Sequence, residues 1–302
     1  MSKRVAVFIH AHFDCLKLRH LIEHLKGGKH YDLYICEDCT NGHLDIFDVP
    51  VLKHNVKMFQ DQGFCPANFS WYMWFLTDYP IYHNRQHLPD YDYYIQLDYD
   101  TGFTNRTPGY MDKLCEKLLS YPQIDLCGPD LYARNDGWWW GYRFRQLYPY
   151  FDQVWGVFGT PLILSGRAID YLRHIRLNEA SVRGYNYDNY LFMEVFLATF
   201  LKQDEKFVCV DLNDVWPNSY DKATFNHADS FFMEQDLGNH VEMHHSVLDA
   251  DTLVKKTIKV ANQDQVPNVI SRLLGSEYIS DEQRALLSKS MYDLVKQKFQ
   301  NR

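Results

Sequence analysis

The 302-residue sequence has no apolar run approaching the roughly 18 residues of a membrane-spanning helix. It is also short of glycine and proline, with 15 and 11, while seven Trp, 22 Tyr and 19 Phe rule out collagen-like, mucin-like and disordered chains. Basic residues are in the minority, 31 Lys and Arg against 39 Asp and Glu. That balance argues against a general nucleic-acid binder, because a phosphate backbone selects a basic surface. Cysteine is sparse and odd in number: Cys15, Cys36, Cys39, Cys65, Cys115, Cys127 and Cys209 follow no framework spacing. Several lie in apolar runs, where a thiol behaves as a small hydrophobe, and the expectation is a reducing, cytoplasmic setting. Cys36-Glu37-Asp38-Cys39 neither opens a helix nor has a second pair, so it reads as a strand end rather than a redox or zinc motif. Val5–Ile9 is too short for a signal-peptide core. Without such a signal, the sequons Asn68-Phe69-Ser70 and Asn105-Arg106-Thr107 read as coincidences.

What the sequence does contain is an ordered globule, 46% hydrophobic and 23% charged, with a formal net charge of −8. A chain of this length buries roughly three quarters of its unfolded surface and needs no disulfide or structural metal to be stable. The charge divides unevenly. Residues 251–302 carry nine Lys or Arg and six Asp or Glu, while residues 1–250 carry 22 and 33. The tail reads as a solvated helical face, with peripheral contact to an anionic membrane surface as the alternative. The expected division is a domain over residues 1–250 and a C-terminal helical extension over 251–302.

The first 130 residues alternate strand and helix signals. Val5–Ile9 is a continuous apolar run suited to a strand buried on both faces. Leu16, Leu18, Leu21, Ile22 and Leu25 recur at helical spacing and stop at Gly27-Gly28. Strands are expected at Tyr31–Cys36, Pro50–Lys53, Tyr91–Leu97, Ile124–Cys127, Pro161–Leu164 and Phe207–Val210. Helices are expected near Phe69–Leu76, after Thr107-Pro108 as N-cap and first turn, around Ala168–His174, over about Asp188–Lys202, and over Asp281–Phe299. The last of these opens on a Ser280/Gln283 capping box. Such alternation predicts a mostly parallel sheet flanked by helices.

The chemistry concentrates in Tyr91-Asp92-Tyr93-Tyr94-Ile95-Gln96-Leu97-Asp98-Tyr99-Asp100. A buried strand releases the chain at the carboxyl edge, where open α/β sheets bind ligands. Two acids one residue apart in extended backbone point to one side and can converge on a hard cation such as Mg²⁺ or Mn²⁺, leaving positions open for phosphate oxygens. A bare Asp-x-Asp triplet more often caps a turn, and it is the placement at the end of an apolar strand that favours the metal reading.

On these residues the sequence, over roughly residues 3–250, resembles the metal-dependent glycosyltransferases of the GT-A fold, a Rossmann-type sheet in which an Asp-x-Asp triplet ends a central strand. The resemblance implies Asp98 and Asp100 as metal ligands on the diphosphate of a nucleotide-sugar, with Tyr99 beside the donor. His10-Ala11-His12-Phe13 is similar to the segment near the nucleotide base. Glu37 and Asp38 stand where the family has an acid facing the uracil or ribose, and Gly63–Asn68 resembles the stretch beside the donor. His10, Ala11, Glu37, Asp38, Asn68 and Tyr99 are therefore the implied donor-binding residues. His10 and His12 also alternate as a zinc pair would, but no third ligand is at suitable spacing.

The family places a carboxylate near a helix start as general base. Asp188 is the first candidate, with helix capping as its other reading, and Glu194, costly to bury alone, is the second. On one continuous helix about 600° of turn would separate them, so only one would serve. Met243-His244-His245 offers a late histidine ligand; His244 is preferred, and an imidazole ligand favours manganese over magnesium. Trp138, Trp139, Trp140 and Trp155 are candidate walls for an acceptor sugar, whose C–H face packs on aromatic rings, and Gly156 allows close backbone approach. Core packing and a turn are the alternatives for these residues.

The expectation is a glycosyltransferase that moves a sugar from a nucleotide-sugar, a UDP-sugar by family frequency, to a hydroxyl of a glycan or glycolipid in polysaccharide biosynthesis. A sugar nucleotidyltransferase would carry a Gly-rich basic loop after the first strand, which His10-Ala11-His12-Phe13-Asp14 is not. A non-catalytic carbohydrate-binding protein would use the same aromatic walls.

Overall fold

The structure is a computed structural model that describes residues 4–40, 42–44, 48–64, 76–104, 106–121, 123–134, 137–183, 191–225, 232–259 and 266–300. In chain order its elements are β1 (Val5–Ala11), α1 (Leu16–Leu25), β2 (Tyr31–Asp38), β3 (Val51–His54), α2 (Val56–Asp61), α3 (Tyr79–Arg85), β4 (Tyr93–Asp98), β5 (Gly102–Phe103) and α4 (Tyr110–Leu119). They continue with β6 (Ile124–Gly128), β7 (Tyr132–Ala133), α5 (Trp139–Leu147), β8 (Trp155–Gly156), β9 (Leu162–Ser165), α6 (Gly166–Arg183), α7 (Met193–Lys202), β10 (Val208–Asp211) and α8 (Leu212–Val215). The last elements are β11 (Phe232–Met233), a 3₁₀ turn (Glu234–Asp236), β12 (Met243–His244), β13 (Val247–Leu248), α9 (Ala250–Lys259), α10 (Val266–Leu274) and α11 (Asp281–Gln300). Among the described residues no helix is long and apolar enough to cross a membrane.

The chain folds as two units, the first comprising residues 1–14, 22–99 and 107–219, the second residues 15–21, 100–106 and 220–302. The first unit contains the seven-stranded sheet β10-β6-β9-β4-β1-β2-β3. Every neighbouring pair is parallel except those made by β9, which runs antiparallel to β4 and β6. This is the mostly parallel sheet that the alternating pattern predicted, and α1 to α7 are the helices that alternate with its strands along the chain. All seven residues of β1 are buried, as expected of a strand covered on both faces. Its register sets His10 beside both Asp98 of β4 and Cys36 of β2. The second unit holds two small pairs, β5 with β12 and β11 with β13, and the helices α9, α10 and α11.

Local signals explain most boundaries. α1 ends where Gly27 takes a φ of 84°, a left-handed conformation that glycine adopts without a Cβ clash. The Ser280/Gln283 capping box forms with both bonds, Gln283 N–H to Ser280 Oγ at 3.2 Å and Ser280 N–H to Gln283 Oε1 at 2.8 Å. Three expectations are corrected. The helix expected after Thr107-Pro108 begins at Tyr110, because Gly109 at φ 67° interrupts the backbone before it. The helix around Ala168–His174 is longer, Gly166–Arg183. The helix expected from Asp188 begins at Met193, since Phe192 is extended at φ −60°, ψ 135°. Asp188 lies outside the described residues, as do Asn68 and residues 69–75 of another expected helix.

The core of the first unit contains one fully buried ion pair. Asp78, just before α3, accepts from Arg176 Nε of α6 at 2.8 Å and from the Tyr82 hydroxyl at 2.9 Å. Arg176 also donates to the Leu191 carbonyl at 2.9 Å and lies 3.7 Å from the Phe196 ring centroid. The pair therefore joins α3, α6 and the approach to α7. Removing one partner leaves an uncompensated buried charge. Asp78→Ala is expected to cost about 3–5 kcal/mol, measured by urea denaturation; a loss below about 1 kcal/mol would show that the core tolerates the unpaired guanidinium.

Candidate metal centre

β4 occupies the middle of the sheet, and Tyr93 to Leu97 are buried because both faces are covered. The strand ends at Asp98, which is partly exposed, and its N–H donates to Thr160 Oγ1 at 3.0 Å. The Tyr99 N–H donates to the His10 carbonyl at 3.1 Å, and the Tyr99 ring packs edge-on against His12 and Phe13. Asp100, buried in the second unit, follows in a turn.

Asp100 is surrounded by donors. His245 Nε2 lies 3.2 Å from Oδ1, the Ser246 hydroxyl donates to Oδ2, and Lys256 Nζ stands 3.8 Å from Oδ2. The backbone supports this arrangement, with the Val247 N–H donating to the Asp100 carbonyl at 2.6 Å and the His245 N–H to the Thr224 carbonyl at 2.8 Å. The His245 ring also stacks on Phe225. Burial opposes the charge on Asp100, but His245 first, then Lys256 and the Ser246 hydroxyl, outweigh it and hold the carboxyl well below its usual range.

Asp100 and His245 thus meet within the second unit, and Asp98 ends β4 two residues upstream of Asp100 in the sequence. Ligands about 2.1 Å from one octahedral ion stand roughly 3 to 4.2 Å apart, a range that includes the 3.2 Å between His245 Nε2 and Asp100 Oδ1. A carboxylate beside an imidazole is a donor pair for manganese more than for magnesium. The residues present thus fit a divalent ion.

The remaining expected site residues have these positions. His244, the preferred histidine, pairs with Gly102 in the β12–β5 ladder and is buried, its ring perpendicular to that of His240. Burial, followed by the His240 charge, pushes it down to about 4. Successive side chains on extended backbone point to opposite sides, so it is His245 that meets Asp100. Glu194 sits in the first turn of α7, where its Oε1 accepts the Gly159 N–H at 2.8 Å. A Cβ at Gly159 would stand 2.8 Å from Met193 Cε, the movable end of that side chain, and 3.3 Å from Glu194 Oε1. Thr160 follows, and its hydroxyl takes the Asp98 N–H, so Glu194 holds the loop that meets the end of β4.

Glu37 is fully buried and accepts the Leu44 N–H at 2.7 Å, with His43 Nδ1 at 3.3 Å; Asp38 accepts from the Thr40 N–H and hydroxyl. Ala11 is the buried end of β1. Trp140 stacks on Phe192 at 4.3 Å, and Trp155 lies under Lys202. Trp138 packs on Arg134, which also covers Tyr132. Gly156 lies against that arginine, where a Cβ would meet Nε at 2.6 Å. Trp139 alone of the four tryptophans is exposed, stacked on Tyr142. Ser246, Lys256 and Thr160 carry no signal in the sequence, and Lys256 lies in the run that reads as a solvated tail.

No protein-family model matches the sequence, and no curated protein matches it. Among solved structures the chain is similar to the glycosyltransferase GlyE of Streptococcus pneumoniae TIGR4, at 11% identity over 70% of this chain and 45% of that one, with a TM-score of 0.35. It is also similar to the galactosyltransferase LgtC, solved with donor and acceptor sugar analogues, at 12% identity over 93% of this chain and 99% of that one, with a TM-score of 0.44. The chain thus spans less than half the length of the GlyE structure. The α/β class of the present protein rests on its own strand order, and the candidate centre on its own side chains.

Two further histidines bear on pH. His10 and His54 are buried, with ring centroids 6.5 Å apart, and neither ring has a hydrogen-bond partner among the described residues. Burial, then a neighbouring imidazole, pushes both down to about 3. The unfolded chain binds protons at these residues below pH about 6.5, where the folded chain does not. Stability should therefore fall as the pH drops from about 6.5 towards 3, by roughly 1.4 kcal/mol per pH unit for each histidine. Urea midpoints across that range should show the slope, reduced in His54→Phe; an unchanged slope in that variant would assign the acid sensitivity elsewhere.

Proposed function

We propose that the protein is a metal-dependent glycosyltransferase. It moves a sugar from a nucleotide-sugar, in the first instance a UDP-sugar, to a hydroxyl of a glycan or glycolipid. The observation that carries this reading is the Asp98-Tyr99-Asp100 triplet released at the carboxyl end of a central strand in a mostly parallel sheet, with His245 on its second acid. That edge is where such sheets bind ligands. The glycosyltransferases GlyE and LgtC among the similar structures agree with the reading in name.

In this reading Asp98, Asp100 and His245 hold Mn²⁺ or Mg²⁺. Bound there, the cation supplies Lewis-acid neutralisation of the charge that builds on a leaving diphosphate. The side chains of the protein do the rest. His245 and the Ser246 hydroxyl, with Lys256 nearby, keep the Asp100 carboxylate ionised and oriented against the cost of its burial, so it is organised before substrate arrives. Asp188, or Glu194 near the start of α7, takes the proton of the acceptor hydroxyl if the reaction inverts. Positioning that hydroxyl against the anomeric carbon replaces a bimolecular encounter with a held geometry. The donor-side residues remain His10, Ala11, Glu37, Asp38, Asn68 and Tyr99, with Trp138, Trp139, Trp140, Trp155 and Gly156 on the acceptor side.

Purified protein is expected to hydrolyse a UDP-sugar slowly in the presence of Mn²⁺, with at least a 100-fold loss in Asp98→Ala and Asp100→Ala. UDP with Mn²⁺ should raise the melting temperature more than either alone, since a ligand that binds only the folded state stabilises it. Glycan binding without any response to nucleotide or metal would instead identify a carbohydrate-binding protein.

A further inference from the structure

Both carboxylate oxygens of Asp100 are engaged by the second unit: Oδ1 faces His245 Nε2, and Oδ2 takes the Ser246 hydroxyl and faces the Lys256 ammonium. Lys256 differs from the other two groups. At 3.8 Å its Nζ lies beyond hydrogen-bond length, so the attraction is Coulombic, and its side chain is 35% exposed. The backbone that carries it is well anchored. α9 is capped by Asp249, which accepts the Thr252 N–H at 2.9 Å and the Lys17 N–H at 3.3 Å, while Leu253, Val254 and Thr257 bury the inner face of the helix. A second lysine charge, that of Lys17, also reaches Asp100, but Lys17 is buried and held by Glu234 at 3.2 Å. Lys256 is thus the more exposed of these two lysines beside Asp100.

From this arrangement, and resting on the metal-binding reading above, we propose that Lys256 competes with the divalent cation for Asp100. Its ammonium neutralises the carboxylate while the metal is absent, and loading the site exchanges one positive charge for two. A divalent ion at Asp100 meets the repulsion of an ammonium a few ångströms away unless the lysine side chain swings out. Metal affinity is therefore set lower than the three ligands alone would make it.

The test is calorimetric titration of the full-length protein with MnCl₂ in the absence of nucleotide, which reads metal binding independently of turnover. Lys256→Met should bind Mn²⁺ about tenfold more tightly than the unaltered protein, equivalent to about 1.4 kcal/mol, whereas Lys256→Arg, which keeps the charge, should remain near the original affinity. Circular dichroism confirms that both variants are folded. An unchanged or weaker Mn²⁺ affinity in Lys256→Met overturns the competition. Asp100→Asn tests the underlying reading separately: it should lose Mn²⁺ binding, and if it binds Mn²⁺ as well as the original protein does, the metal centre itself is elsewhere, whatever Lys256 does.

Discussion

A carboxylate taken out of water has to be compensated, and the way Asp100 is compensated organises the candidate centre. Its charge is costly in a buried setting unless cations and hydrogen-bond donors surround it. The chain supplies them from residues more than 140 positions later: an imidazole, a hydroxyl and an ammonium. An imidazole and a carboxylate side by side are also donors that a manganese ion takes as ligands. The same electrostatic demand therefore stabilises the local fold and produces a group able to receive a divalent cation.

The first unit contributes by fixing the backbone that leads to this residue. β4 is held between parallel β1 and antiparallel β9, and its apolar run leaves no freedom of register, since a one-residue slip would turn Asp98 and Gln96 to the opposite face. At its end the Asp98 amide is tied to Thr160, and the residue before Thr160 is tied to Glu194. α7 is itself approached through Leu191, whose carbonyl is held by the buried Arg176–Asp78 pair. A sequence of hydrogen bonds thus runs from the core to the strand end. It gives Glu194 a positioning part in the fold whatever its part in proton transfer.

Much of the architecture was legible because burial on two faces and helical periodicity leave strong patterns. Val5–Ile9, the Leu16–Leu25 spacing and the Ser280/Gln283 box all appear in the structure as their residues suggested. The misreadings were local. Thr107-Pro108 has the chemistry of a helix start, but the left-handed Gly109 intervenes. Asp188 reads as the start of the helix that in fact begins beyond the extended Phe192. Along residues 138 to 140, Trp140 stacks on Phe192 while Trp139 faces solvent, since neighbouring residues on a helix point in different directions.

The sequence alone determined the class of sheet and the placing of an Asp-x-Asp triplet at the end of a buried strand, because both follow from short-range pattern and the alternation of side chains. It narrowed the late histidine to two adjacent residues. Only the tertiary structure decided between them, and only it brought Ser246 and Lys256 to Asp100, because the pairing of β12 with β5 and the capping of α9 are long-range events. Which side chain meets a buried charge depends on how distant segments pack around it, and sequence spacing contains no measure of that distance.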